Sequence, residues 1–268
     1  MNVKFLKKTF QRNRLQIYKE ILLYAKNNGY VLTSLSDWYE NYIDSDKKVL
    51  ILRHDVDYDA NGAFEMYKVE KELGAKSSFY FRWLTVDYNI MKTINNNGFE
   101  VSLHYETLAT YAKNNKITNT DEISSDVLNL CFNNLIGEIK EFEQKFWKVN
   151  SICSHGDKVN RQLKVSNYKI IDNTKLEELG IKFNVYNQEI MDKFDAYISD
   201  SSIYSNFEWK HFGSPYNAID KKLKLICLLT HPIHWNQGFI KNIKMLSMVY
   251  SDNQKDLFNF FINFSKRK

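Results

Sequence analysis

Val49-Leu50-Ile51-Leu52-Arg53-His54-Asp55-Val56-Asp57 runs from four consecutive apolar residues into a cluster of ionisable ones. A short continuous apolar run is the mark of a strand covered on both faces, as in a parallel sheet flanked by helices. Residues i and i+2 of a strand point to the same side, so Asp55 and Asp57 are predicted to face one pocket. Two carboxylates facing one pocket repel unless a cation lies between them, and a divalent metal would resolve the conflict. Capping of the next helix is the competing explanation, but Asp59, just before Ala60, is better placed for it.

Outward from this stretch the same rhythm repeats. Ala60 to Leu73 reads as a helix closed by Gly74, the residue a helix C-terminus favours. Strands are predicted at Ser77–Trp83, Phe99–Tyr105, Val149–His155, Lys182–Tyr186, Ala196–Ser199 and Leu223–Thr230. Helices are predicted at 9–28, 90–96, 119–147 and 253–264, the third opened by Asn119 and Glu122 at capping-box spacing. Strands alternating with helices imply an α/β fold around a parallel sheet, open or closed into a barrel. No internal repeat or linker divides the chain, so 1–268 reads as a single domain whose rim is elaborated over residues 156–222.

The histidines repeat the pattern of the opening stretch. His104 follows Val101-Ser102-Leu103, His155 follows Ile152-Cys153-Ser154, and His231 follows Leu228-Leu229-Thr230. In parallel α/β folds the strand C-termini converge on the active-site face. Imidazoles there suit zinc or a similar ion. Glu106 shares a face with His104, and His231 is fit to protonate a departing amine. His234 and Trp235 follow on the same loop, where they would shape a substrate pocket. Tyr58, Trp83, Tyr105 and Trp235 are candidates to rim the same cavity, whereas His211 reads as a loop residue.

Composition narrows the classes. The chain of 268 residues carries 37 Lys+Arg and 32 Asp+Glu, so its formal charge of +5 gives no strong pull towards nucleic acid. No basic run is interleaved with aromatics, which argues against nucleic acid as a partner. Cys131, Cys153 and Cys227 are far apart and odd in number, so they read as buried thiols in a reducing compartment. No apolar stretch approaches a membrane span and no signal peptide is apparent, so the expected location is cytoplasmic.

The succession His54-Asp55-Val56-Asp57, Glu100-Val101-Ser102-Leu103-His104-Tyr105-Glu106, Ser154-His155-Gly156-Asp157 and Leu229-Thr230-His231-Pro232-Ile233-His234-Trp235 resembles the polysaccharide deacetylase family, carbohydrate esterase family four. It is most similar to the branch found in bacterial O-antigen and capsule clusters, over residues 48–236. The resemblance implies a distorted (β/α) barrel of about seven strands. It implies one divalent metal, with zinc the expected ion, and removal of an N-acetyl group from a sugar. Asp55 would be the base, His231 the general acid, and Asp57 and His104 metal ligands. The family's second ligand histidine is replaced by Leu108, which leaves His155 as first choice and Glu106 as second choice for the third ligand. The family's Arg-x-Pro-Tyr motif is absent. Asp200 resembles a downstream aspartate that orients the site, and Tyr105, Glu106, Asp200, His234 and Trp235 are expected around the substrate. The substrate would be an N-acetylated sugar or its nucleotide- or lipid-linked precursor. The departures also leave room for a metal-binding homologue without activity. An amidohydrolase fits less well, because the first strand lacks His-x-His.

Overall fold

The computed structural model describes residues 10–201, 208–243 and 247. Among the described residues nine strands lie in chain order: β1 Val31–Thr33, β2 Val49–Val56, β3 Ser78–Phe81, β4 Glu100–Tyr105, β5 Ser151–Ser154, β6 Phe183–Asn184, β7 Ala196–Ser199, β8 Lys210–His211 and β9 Leu225–Thr230. The helices are α1 Leu15–Asn27, α2 Leu35–Asn41, α3 Ala60–Leu73, α4 Tyr88–Asn96, α5 Thr107–Asn114, α6 Ser125–Lys145, α7 Lys158–Leu163, α8 Asn173–Glu178, α9 Gln188–Met191 and α10 Pro215–Asp220. The sheet order is β6-β5-β4-β3-β2-β9-β7-β8, and every pairing is parallel except β7 with β8. It curls into a half-barrel of a mixed α/β fold, as the sequence leads one to expect. Along one edge of β2, β1 pairs with its first half and β3 with its second.

Strand β2 is buried along its whole length. Its alternate residues serve two environments. Leu50 and Leu52 face an outer core with Tyr18, Ile21 and Leu22 of α1. Val49 and Ile51 face the inside of the curl, where α2 contributes Leu35 and Trp38, β3 Tyr80 and β9 Cys227. Beyond that apolar plug the same inner row continues as Arg53, Asp55 and Asp57. The sheet's hollow is thus closed at one end by hydrocarbon and lined at the other by ionisable groups.

Several boundaries shift for local reasons. The first helix starts at Leu15, because Asn13 Oδ1 accepts from Leu15 N–H and the Arg14 N–H is tied to Trp235 O at 2.8 Å. The Asn119/Glu122 capping box forms, but it opens a short 3-10 turn at Thr120–Glu122. The long helix begins afresh at Ser125 with Ser124 as its N-cap. Asp59 caps α3 through Gly62 N–H, and Gly74 closes it in the left-handed region at φ 67°. The expected helix at 253–264 lies outside the described residues.

His54 turns away from Asp55 and Asp57, as alternation requires. It joins a buried polar knot on the outer face. Glu70 of α3 accepts from Tyr18 OH at 2.5 Å and Ser77 OH at 2.6 Å, and lies 2.6 Å from His54 Nε2. His54 Nδ1 meets Thr230 Oγ1 at 2.7 Å. Glu70→Ala strands three buried partners at about 1–3 kcal/mol each. A loss of at least about 3 kcal/mol is expected in urea unfolding; a loss under about 1 kcal/mol would show that the knot contributes little.

Candidate active site

The C-terminal ends of β2, β4, β5, β7 and β9 bring the chemistry together. Asp55, 3% exposed, is clamped by a residue two positions earlier on the same face. Arg53 Nε donates to Oδ1 at 2.9 Å and Nη2 to Oδ2 at 2.7 Å. Arg53 is wholly buried between the rings of Tyr80 and Tyr186, and its Nη2 also reaches Tyr186 OH and Cys153 Sγ. Burial pushes the Asp55 carboxyl up, but Arg53, His104 and His231 outweigh it, and the group is held below its ordinary value. Asp55 is therefore ionised at neutral pH.

Asp57 is the meeting point of three imidazoles. His104 Nε2 lies 3.3 Å and His155 Nε2 3.7 Å from its Oδ1, and His231 Nε2 lies 3.9 Å from its Oδ2. Oδ1 is buried yet accepts no hydrogen bond of good geometry. Burial raises the Asp57 carboxyl, and the imidazoles of His155, His104 and His231 lower it further, to well below the carboxylate range. His104 Nδ1 is 3.1 Å from the carbonyl of Cys153, its register partner in β5. A carbonyl only accepts, so Nδ1 carries a proton and Nε2 is the nitrogen turned towards Asp57.

His155 is set in the same way. Its Nδ1 sits 2.9 Å from Glu106 Oε2, leaving Nε2 towards Asp57. Glu106 is in turn held by Arg82, whose Nη2 donates to both carboxylate oxygens at 3.0 and 2.8 Å. Burial raises the Glu106 carboxyl, and His155 and Arg82 bring it down to about 2. Glu106 thus lies behind His155, as an orienting carboxylate behind a ligating histidine does. Glu106→Gln is expected to weaken zinc binding about 10–100-fold in a competition titration with a chelator. An unchanged affinity would place His155 outside any ligand set.

On β9's side Asp200 organises the loop. His231 Nδ1 is 2.6 Å from Asp200 Oδ1, and the His231 N–H and Trp235 Nε1 also donate to this carboxylate. Burial pushes the His231 imidazole down, and Asp200, Asp57 and Asp55 push it up further, to about 9. His234, 8% exposed, lies with Nδ1 3.2 Å from Asp200 Oδ2.

Several expected residues have other positions or partners. Tyr105 is 0% exposed and faces the outer core, because it neighbours His104 and alternation sends it to the opposite side. It offers no face to a sugar. Trp235 is also 0% exposed; it packs on Tyr18 and Trp209 and holds Asp200 instead of stacking on substrate. Trp83 leans on Phe142 and donates to Glu138. Leu108 is buried in the core, while His211 pairs in the two-residue β8 and touches Tyr197. The three cysteines are buried free thiols. Arg53, Arg82 and Tyr186 are the contributors that motif reading overlooks. Arg53 was within reach of the same i, i+2 rule that linked Asp55 to Asp57.

The donor set suits a divalent cation. Asp57 Oδ1 is a buried anionic oxygen without a hydrogen bond, and two imidazoles face it with their other nitrogens already engaged. One carboxylate and two imidazoles form a three-ligand set of the kind catalytic zinc takes. Cys153 is close, with ligand atoms of Asp55, His104 and Cys153 within 4.8 Å of one another. Burial drives its thiol well up, an effect Arg53 only partly offsets, and its Sγ is engaged by Arg53 Nη2 at 2.8 Å.

No protein-family model matches the chain, and no curated protein does. Among solved structures it is similar to BA3943, described as a CE4 family pseudoenzyme from Bacillus anthracis, at 12% identity and a TM-score of 0.40 over 77% of this chain and 62% of that one. A BA3943 mutant described as having restored enzymatic activity matches at 11% identity and a TM-score of 0.39, over 78% and 64%. The chain thus spans less than two thirds of the length of these structures.

Proposed function

We propose that the chain is a metal-dependent N-deacetylase of an N-acetylated sugar used in building a surface polysaccharide. The observation that carries this reading is the convergence of His104 and His155 on the bare Asp57 Oδ1, with an ionised Asp55 and a protonated His231 on either side. Asp57, His104 and His155 would hold the ion. Such an ion, when bound, lowers the pKa of a water and polarises an amide carbonyl.

Asp55 then takes the proton that the attacking water gives up as its oxygen bonds to the acetyl carbon. Arg53 keeps that carboxylate ionised and aimed inward. The C–N bond breaks as His231 gives its proton to the sugar nitrogen, so acetate and the free amine leave. Asp200 holds the His231 ring and favours its charged form, which readies it as an acid at neutral pH.

A metal-binding homologue without turnover remains the second reading. It is favoured by the Arg53 fork, which engages both oxygens of the base. Acetate release from a panel of N-acetylated sugars by zinc-loaded protein separates the two. Release supports the enzyme, and metal bound without release from any sugar supports the homologue.

The pH profile carries a second test. His231 acts as an acid while protonated, so kcat/KM is expected to fall as pH rises through about 9. Asp200→Asn removes the main raising influence and should move that limb towards the ordinary histidine value of about 6.5. A limb that stays in place would remove His231 from the acid role.

A further inference from the structure

Beside His155 a cleft of about 400 Å³ opens between the end of β5, α7 with the segment that follows it, and Tyr186 just beyond β6, lined among others by Ser154, Arg161, Lys164, Ser166, Tyr168 and Tyr186. Two of its lining residues also belong to the candidate active site or its support. His155 belongs to its wall, and Tyr186 OH accepts from the same Arg53 Nη2 that clamps Asp55. Tyr168 and Tyr186 lie side by side at 5.9 Å between centroids and 28° between planes.

The two amides and the carboxylate of its lining are already spent on holding the loop. Asn167 donates to His155 O and Asn160 Oδ1, and accepts from Ala109 N–H. Asn160 donates to Val165 O. Asp157, the one carboxylate in the lining, is paired with Lys113 at 2.7 Å and caps α7. Two cations are left over. Arg161 is fixed only by Nη1 donating to Gly156 O at 3.0 Å, and neither it nor Lys164 has a carboxylate partner among the described residues. They stand three residues apart at the end of α7, both exposed and both in the lining.

We propose that this cleft binds a phosphoryl group carried by the substrate, so that the substrate is a sugar phosphate or sugar diphosphate and not a neutral glycan. Two uncompensated cations beside aromatic rings suit an oxyanion attached to a sugar. A guanidinium and an ammonium together match a phosphate's charge and its several acceptor oxygens. The sugar in this statement rests on the deacetylase reading; the anion rests on the cleft alone.

The test is calorimetric titration of the full chain. The probes are pyrophosphate, N-acetylglucosamine 1-phosphate, UDP-N-acetylglucosamine, a short-chain prenyl diphosphate of the same sugar, and its neutral methyl glycoside. Each phosphorylated probe is expected to bind at least about fivefold more tightly than the glycoside, a preference that weakens as salt rises. Arg161→Ala/Lys164→Ala should abolish the preference, and Lys71→Ala, an exposed charge outside the cleft, should not. Tighter binding of the UDP sugar than of the 1-phosphate assigns the phosphate to a nucleotide; tighter binding of the prenyl form assigns it to a lipid carrier. The proposal is overturned if the glycoside binds as well as the phosphates, if the double variant keeps the preference, or if no phosphorylated probe binds at millimolar concentration. Phosphate-dependent binding without acetate release would sink the reaction and leave this site standing. Acetate release indifferent to phosphate and to both cations would do the reverse.

Discussion

Asp55→Asn is expected to lower acetate release at least about 100-fold, the scale on which a positioned general base contributes, while metal content stays unchanged. The carboxamide keeps the shape and one acceptor oxygen for Arg53, but it takes no proton from water. The substitution also leaves a wholly buried guanidinium without its anion. Removing one partner of a buried ion pair costs about 3–5 kcal/mol, so the variant should unfold at lower urea and its rate must be compared at matched folded fraction. Arg53→Gln/Asp55→Asn separates the two effects. Replacing both charges with neutral amides should recover part of the stability and none of the rate. A single variant with activity within about tenfold of wild type would remove Asp55 from the base role.

How much of this was legible follows from what each residue needs. The strand at 49–56 could be read because both its faces are covered, and Asp55 and Asp57 could be linked because the strand period is two. The same period, applied one step back or one step across, also gives Arg53 as the partner of Asp55 and sends Tyr105 away from His104. Reading ionisable motifs alone passes over an arginine and overrates an aromatic. Other features depend on register and long-range contacts. His104 Nδ1 finds its acceptor only because Cys153 is its neighbour across β4 and β5. Trp235 is taken from the substrate side by Tyr18 and Trp209, far away in the chain. Glu106 and His155 looked like rivals for one ligand position. Arg82, at the end of the neighbouring strand β3, holds Glu106 behind His155 and makes them partners.

Asp57→Ala is expected to abolish the response to metal altogether. A ligand that binds only the folded state stabilises it by about 4 kcal/mol at a thousandfold excess over its Kd. For a chain of this size that is a rise of roughly 10 °C in Tm on adding zinc. Among the described residues Asp57 is the anion that both His104 and His155 approach through their Nε2 atoms, and its Oδ1 is buried with no donor to satisfy it. Such an oxygen is costly to leave bare and is relieved by a cation. Alanine removes the negative charge from the centre of three imidazoles, and two neutral ring nitrogens alone make an incomplete set for zinc. The Tm rise should therefore vanish in Asp57→Ala and shrink in His104→Ala, with zinc content falling in parallel. Alanine at Asp200 gives the contrast, since that carboxylate already takes donors from His231 and Trp235. Asp200→Ala should disturb the His231 loop and leave zinc bound. If Asp57→Ala and His104→Ala bind zinc as wild type does, the convergence on Asp57 is an ion-pair cluster and no metal centre.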